Sequence, residues 1–161
     1  MAVRLCKAAL VATVALLFLL FAFGNLTDYG SNRAFVQHVL SMDTIFPDST
    51  LRWRAITDPG LQTAAYWLII AWELATGLVL AVATVRLVAA SRDAGAFATA
   101  KPLAVVGLTM GLLLYGLGFV TVGGEWFAMW QSHDWNGLEG ATRFIVLGGV
   151  VLLVLLAPDD R

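Results

Sequence analysis

The chain has 161 residues, 60% of them hydrophobic and only 13% charged, with mean hydropathy +0.81 and a net charge of −1. A soluble domain carries about 25% charged residues, so this composition excludes an ordinary soluble fold and points to one membrane domain over residues 1–161. The neutral balance gives no basic footprint for nucleic acid. The single cysteine, Cys6, excludes an intrachain disulfide and a CxxC redox pair.

The first span is predicted at about 6–26, from a charge-free run over residues 8–27 that Arg4 and Lys7 precede. Ala22-Phe23-Gly24 offers a small-x-small cleavage site, but the apolar run is long for a signal peptide and is read as a retained anchor. An outer loop follows at 27–60. It is too long for a simple connector and should carry structure of its own. Ser31 or Asn32 can cap a short helix through Met42, with Phe35, Val39 and Met42 on one face. Phe46-Pro47-Asp48 breaks it. Asp48 or Ser49 can then cap a turn through Trp53 and Ala55. Arg52, Trp53 and Arg54 suit an anchor at headgroup level.

The second span is predicted at 61–86, with Asp58 as N-cap and Pro59 at the first helical position. Glu73 is the only charge between Pro59 and Val85. A 3.6-residue repeat puts Tyr66, Glu73, Gly77 and Thr84 on one stripe with Thr76 beside it. That stripe should face other helices. Glu73 has two readings. It is either structural, protonated or paired between helices, or a proton or cation site near the membrane midplane, because an intramembrane charge is costly and is by default a functional hypothesis. Arg143 is its expected ion partner.

The third span is predicted at 102–123. Gly107 and Gly111 form a GxxxG pair that lets helices approach closely. A second outer loop, 124–138, carries Glu125, Trp126, Trp130, His133 and Trp135, and the tryptophans fit an interfacial belt. The fourth span, 139–157, reaches membrane length only by starting near Leu138 and carrying Arg143 below the surface. Arg4, Lys7, Arg86, Arg92, Lys101 and Arg161 then lie on one side, against Arg33, Arg52, Arg54 and Arg143 on the other. Asp93, Asp159 and Asp160 are the only acidic residues on the first side. The bias in Lys and Arg places both termini in the cytoplasm of a bacterial inner membrane.

His38 and His133, with Asp43, Glu125 or Asp134, are the only metal-like set. No HxxxH, HExxH or CxxC spacing supports it, so no metal is predicted. No phosphate loop, dinucleotide fingerprint or nucleophile elbow is present. No catalytic residue and no cofactor are predicted. The tryptophan-rich loop admits a bound lipid or quinone.

The stretches NLTDYGSNRAFVQHVLSMDTIFPDSTLRWRAI, AAYWLIIAWE and GGEWFAMWQSHDWNG resemble a bacterial family described as predicted small integral membrane proteins of unknown function. The likeness covers nearly the whole chain. It implies four spans in the inner membrane and brings no activity, cofactor or catalytic residue. It marks Asn25 to Asp28 and Phe35 to Asp43 as its signature.

The expected fold is therefore an all-α transmembrane four-helix bundle whose two outer loops carry short interfacial helices. The expected role is that of a non-enzymatic accessory or assembly subunit of a larger respiratory or photosynthetic membrane complex, or a self-associating protein, surrounded by membrane lipids. Gly107/Gly111, Gly148/Gly149 and the polar stripe would be its packing surfaces. The alternative is a small oligomeric proton-coupled transporter or channel using Glu73. A third reading is a quinone- or lipid-handling enzyme at the outer interface.

Overall fold

A computed structural model describes residues 1–158. The expected contributions of Asp159, Asp160 and Arg161 to the charge bias lie outside the described residues. The chain folds as α1 (Ala2–Thr27), α2 (Tyr29–Ser41), a 3₁₀ turn (Arg52–Arg54), α3 (Pro59–Ala89), α4 (Ala94–Leu113) running on as a π-helical segment (Leu114–Trp126), a second 3₁₀ turn (Met129–Gln131) and α5 (Leu138–Leu156). No strand occurs among the described residues. α1, α3, α4 with its π extension, and α5 are each long and apolar enough to cross a membrane.

Local chemistry explains the boundaries. Asp58 accepts from the Leu61 N–H at 2.8 Å and Pro59 follows it, the expected start of α3. α4 begins eight residues before the predicted Pro102, because Asp93 accepts from the Ala96 N–H at 2.6 Å and fully buried Phe97 anchors the added turns. Pro102 therefore sits inside the helix rather than at its start. α2 starts at Tyr29, ahead of the predicted Ser31 or Asn32, and ends where Met42 turns left-handed at φ 53°. The predicted turn through Trp53 and Ala55 shrinks to three residues. The π segment was not predicted. Its wide ladder shows in the Phe127 N–H donating to Val122 O at 3.0 Å, a bond spanning five residues.

Buried Val11, Val14, Phe18, Leu80, Leu87, Leu108, Val151 and Leu155 fill the core between the four long helices. Gly107 and Gly111 serve this packing. A Cβ on Gly107 would lie 2.6 Å from Leu80 Cδ2, and one on Gly111 would lie 2.7 Å from Phe18 Cζ. Gly77 likewise takes Leu19 at 2.8 Å. The GxxxG pair thus joins α4 to α3 and α1, and is not a free surface for a partner. Of the Gly148/Gly149 pair, Gly148 is buried beside Leu112 and Gly149 opens on empty space.

The two long loops close over one end of the bundle as a single cap. Thr44 and Ser132 hydroxyls meet at 2.8 Å, the Phe46 N–H donates to Gln131 Oε1 at 3.2 Å, and Arg54 donates to Trp126 O at 3.2 Å. Met42, Ile45, Phe127 and Ala128 form a small core beneath. This end is called the loop face. The opposite end, where α1 begins and α5 ends, is the terminal face.

Candidate functional site

α1 and α3 run antiparallel. Arg4 donates to Ser91 O at 2.8 Å near the terminal face, and Asn25 meets Glu73 near the other end. Asn25 Nδ2 donates to Glu73 Oε2 at 2.6 Å. Asn32 Nδ2, from α2, donates to Asn25 Oδ1 at 2.6 Å. The Tyr66 hydroxyl donates to Asn25 O and Oδ1 at 3.2 and 3.3 Å. Three helices are thereby tied through one carboxamide. Asn25, in the family signature, was expected to act with the outer loop as an interaction residue. It lies in the last turns of α1 and is buried.

This network forms one wall of a cavity of about 350 Å³. Ring clusters build the other walls. Phe21 of α1, Tyr115 and Phe119 of the π segment and Phe144 of α5 pack with centroids 4.7–6.4 Å apart, Tyr115–Phe144 being the nearest pair and Phe21–Tyr115 the farthest. Phe35 of α2 stacks on Phe119 at 6.2 Å. Behind that stack is a second, apolar chamber of about 200 Å³ between α2, α3 and the π segment.

Two buried polar groups border the main cavity with capacity to spare. Glu73 is 3% exposed, and Asn25 is its sole hydrogen-bond partner among the described residues. Tyr115 is 5% exposed and its hydroxyl has no hydrogen-bond partner among the described residues. The cavity lining contains no Lys, Arg or His, and its titratable groups are Glu73, Tyr66 and Tyr115. A buried carboxylate without a cation is expensive. This wall must therefore hold a proton or receive a cation from elsewhere.

The expected Glu73–Arg143 ion pair does not form. Arg143 bonds Glu139 one turn earlier on α5, and both side chains are largely exposed. The i,i+4 spacing gives Arg143 a near partner in water, which spares it the cost of entering the bundle. Glu73 sits at a different level along α3 than it does against α1. It lies in the middle of α3, but α3 has 31 residues while α5 has 19. Measured against α1, Glu73 is level with Asn25, close to the loop-face end of the bundle.

The remaining predicted residues are dispersed. Thr76 donates to Trp72 O within its own helix. Asp28 accepts from Ser31 at 2.9 Å. His38 bonds Asp43 at 2.8 Å and stacks on Trp135 at 4.3 Å. His133 and Asp134 bond at 2.8 Å on the surface, and Asp134's acceptor and charge raise the His133 pKa above its ordinary value. No group of three or more His, Cys, Asp or Glu side chains that could hold a metal occurs among the described residues. Arg54 lies over both Trp53 and Trp126, at 5.3 and 4.7 Å. Trp130 packs edge-on against Phe46, and Glu125 is exposed. Sequence reasoning missed Asn32, Tyr115, Phe119 and Phe144 as cavity residues. Tyr115 did carry a signal, as the one aromatic hydroxyl in the uncharged third span.

The family model for predicted small integral membrane protein (DUF2165) matches residues 3–158, and the chain belongs to that family. No curated protein matches the chain. No solved structure matches it either.

Proposed function

We propose that this small integral membrane protein binds a lipophilic organic cation in the Glu73 cavity in exchange for a proton. The observation that carries the reading is the Glu73 carboxyl, buried among aromatic rings with no basic side chain in the cavity lining. Two species neutralise such a group, a proton or a ligand cation, and they exclude one another. The faces of Phe21, Tyr115, Phe119 and Phe144 attract the same cation. A volume of about 350 Å³ is within the ordinary range for a small-molecule site. Of the roles expected from the sequence, this is the proton-coupled one. The accessory-subunit expectation loses one of its packing surfaces, since Gly107 and Gly111 are filled from within the bundle, while Gly149 stays open.

The orientation proposed is an inner-membrane one with both termini in the cytoplasm. Arg4, Lys7, Arg86, Arg92 and Lys101 at the terminal face, against Arg33, Arg52, Arg54 and Arg143 at the loop face, support it.

The test is binding of benzyltrimethylammonium to the purified protein in nanodiscs, followed by calorimetry in buffers of different ionisation enthalpy. The expected result is saturable binding with close to one proton released per cation, and loss of both in Glu73→Gln. Equal binding by Glu73→Gln, or binding with no proton released at any pH, overturns the reading.

A further inference from the structure

We infer that the bound cation is the headgroup of a membrane-resident amphiphile, taken from the loop-face leaflet through a slot between α1 and α5, with its alkyl tail left in the lipid. This inference rests on the cation reading of Glu73 and adds the class of ligand and its route.

The slot is visible in the residues that frame the cavity. On α1 these are Leu20, Phe21 and Gly24. On α5 they are Gly140, Ala141 and Phe144. Leu20 is 54% exposed, on the surface an α-helical bundle turns to lipid. Gly24 and Gly140 both line the cavity, and an added Cβ on either would meet nothing within 4 Å. By contrast, Gly77, Gly107 and Gly111 bring helices together against Leu19, Leu80 and Phe18. Here two of them leave an opening.

Depth decides what passes through it. α5, the shortest span, has 19 residues, or about 28 Å at 1.5 Å per residue, which matches a hydrocarbon core of about 30 Å. Gly140 is two residues from its start, and Gly24 is three from the end of α1. The slot therefore lies where acyl chains give way to headgroups. Glu73, Asn25 and Asn32 form the polar side of the cavity at that same level. Phe21 and Phe144 form the apolar side, with ring centroids 4.8 Å apart. An amphiphile lying in the leaflet already has this order of polarity, with its charge at the interface and its tail below. It can enter sideways without carrying its charge through hydrocarbon. The exposed Asn32 in the roof gives a small water-borne cation a separate route.

The experiment uses the full chain in nanodiscs, with radiolabelled benzyltrimethylammonium as probe and dodecyltrimethylammonium, dosed as mole fraction of lipid, as competitor. Wild type is compared with a Gly24→Leu/Gly140→Leu double variant, whose new side chains enter open space. The expected result is displacement of the probe by the amphiphile in wild type. In the variant, displacement by the amphiphile should weaken at least tenfold more than binding of the probe does. Undiminished displacement in the variant overturns the slot, as does equal weakening of both ligands. A wild type that binds the probe but is not displaced by the amphiphile overturns this inference alone. A wild type that does not bind the probe overturns the cation reading on which it stands.

Discussion

Asn25 and Glu73 lock α1 and α3 in register: the Asn25 carboxamide gives one N–H to Glu73 Oε2 at 2.6 Å while its Oδ1 accepts from Asn32 and Tyr66, and the Tyr66 hydroxyl also reaches the Asn25 backbone carbonyl. Glu73 is thus both held by the network and presented to the cavity. The two roles separate on mutation.

Asn25→Leu removes the shared carboxamide and leaves Glu73 and Asn32 without it. Unmaking a buried hydrogen bond costs about 1–3 kcal/mol per orphaned group. The variant should melt lower than wild type in the same detergent. Glu73→Gln keeps an oxygen for the Asn25 N–H and should melt close to wild type. If the two variants melt alike, the network does not organise the bundle.

Arg143→Ala should be nearly silent. Its partner Glu139 is a surface residue one turn away, and both side chains are largely exposed. Exposed i,i+4 pairs contribute about 0.3–0.5 kcal/mol. A thermal shift of several degrees, or rescue of that shift by a charge swap with Glu73, would show that Arg143 reaches into the bundle after all.

Gly107→Ala and Gly111→Ala should destabilise, and Gly149→Ala should not. The first two drive a methyl to 2.6 Å from Leu80 and 2.7 Å from Phe18, whereas the third meets open space. Leu80 is fully buried and Phe18 is 4% exposed, so neither side chain has room to yield. Overpacking of this kind costs about 1–3 kcal/mol. Thermal melts of the three variants measure it. The reverse order, with Gly149→Ala the damaging change, would mean that the pair faces a partner rather than the protein's own core.

His133 should titrate above an ordinary histidine, because Asp134 bonds its Nδ1 and adds a negative charge. Asp134→Asn should bring it back down, which histidine proton resonances followed against pH would register. The raised value fixes the sign of any linkage to folding. Whatever the pair contributes is complete below the unfolded histidine's pKa and disappears as pH rises through the raised one. An unchanged titration in Asp134→Asn would show that the contact is not made in solution.

The sequence by itself determined the membrane class, the four spans, the Asp58–Pro59 start of α3 and the stripe of Tyr66, Glu73, Gly77 and Thr84 with Thr76 beside it, of which all but the half-buried Thr84 are buried. These follow from composition, 3.6-residue periodicity and capping, all of which act over a few neighbouring residues. The family likeness was legible for the same reason, as a run of residues. Only the tertiary structure decided what Glu73 faces. Periodicity places it on a buried stripe, but the side chain opposite depends on the register of α1 against α3, and that register seats Asn25 there. Arg143 had the reach to serve as partner, yet Glu139 one turn away satisfies it in water at lower cost. The depth of the site is tertiary too. Counted along α3, Glu73 is central; counted against α1 and α5, which are shorter, it lies at the end where the loops close. The cavity itself needed the π segment to bring Tyr115 and Phe119 against Phe21, Phe35 and Phe144. Rings drawn from four elements and scattered over more than a hundred residues of sequence become neighbours only by packing.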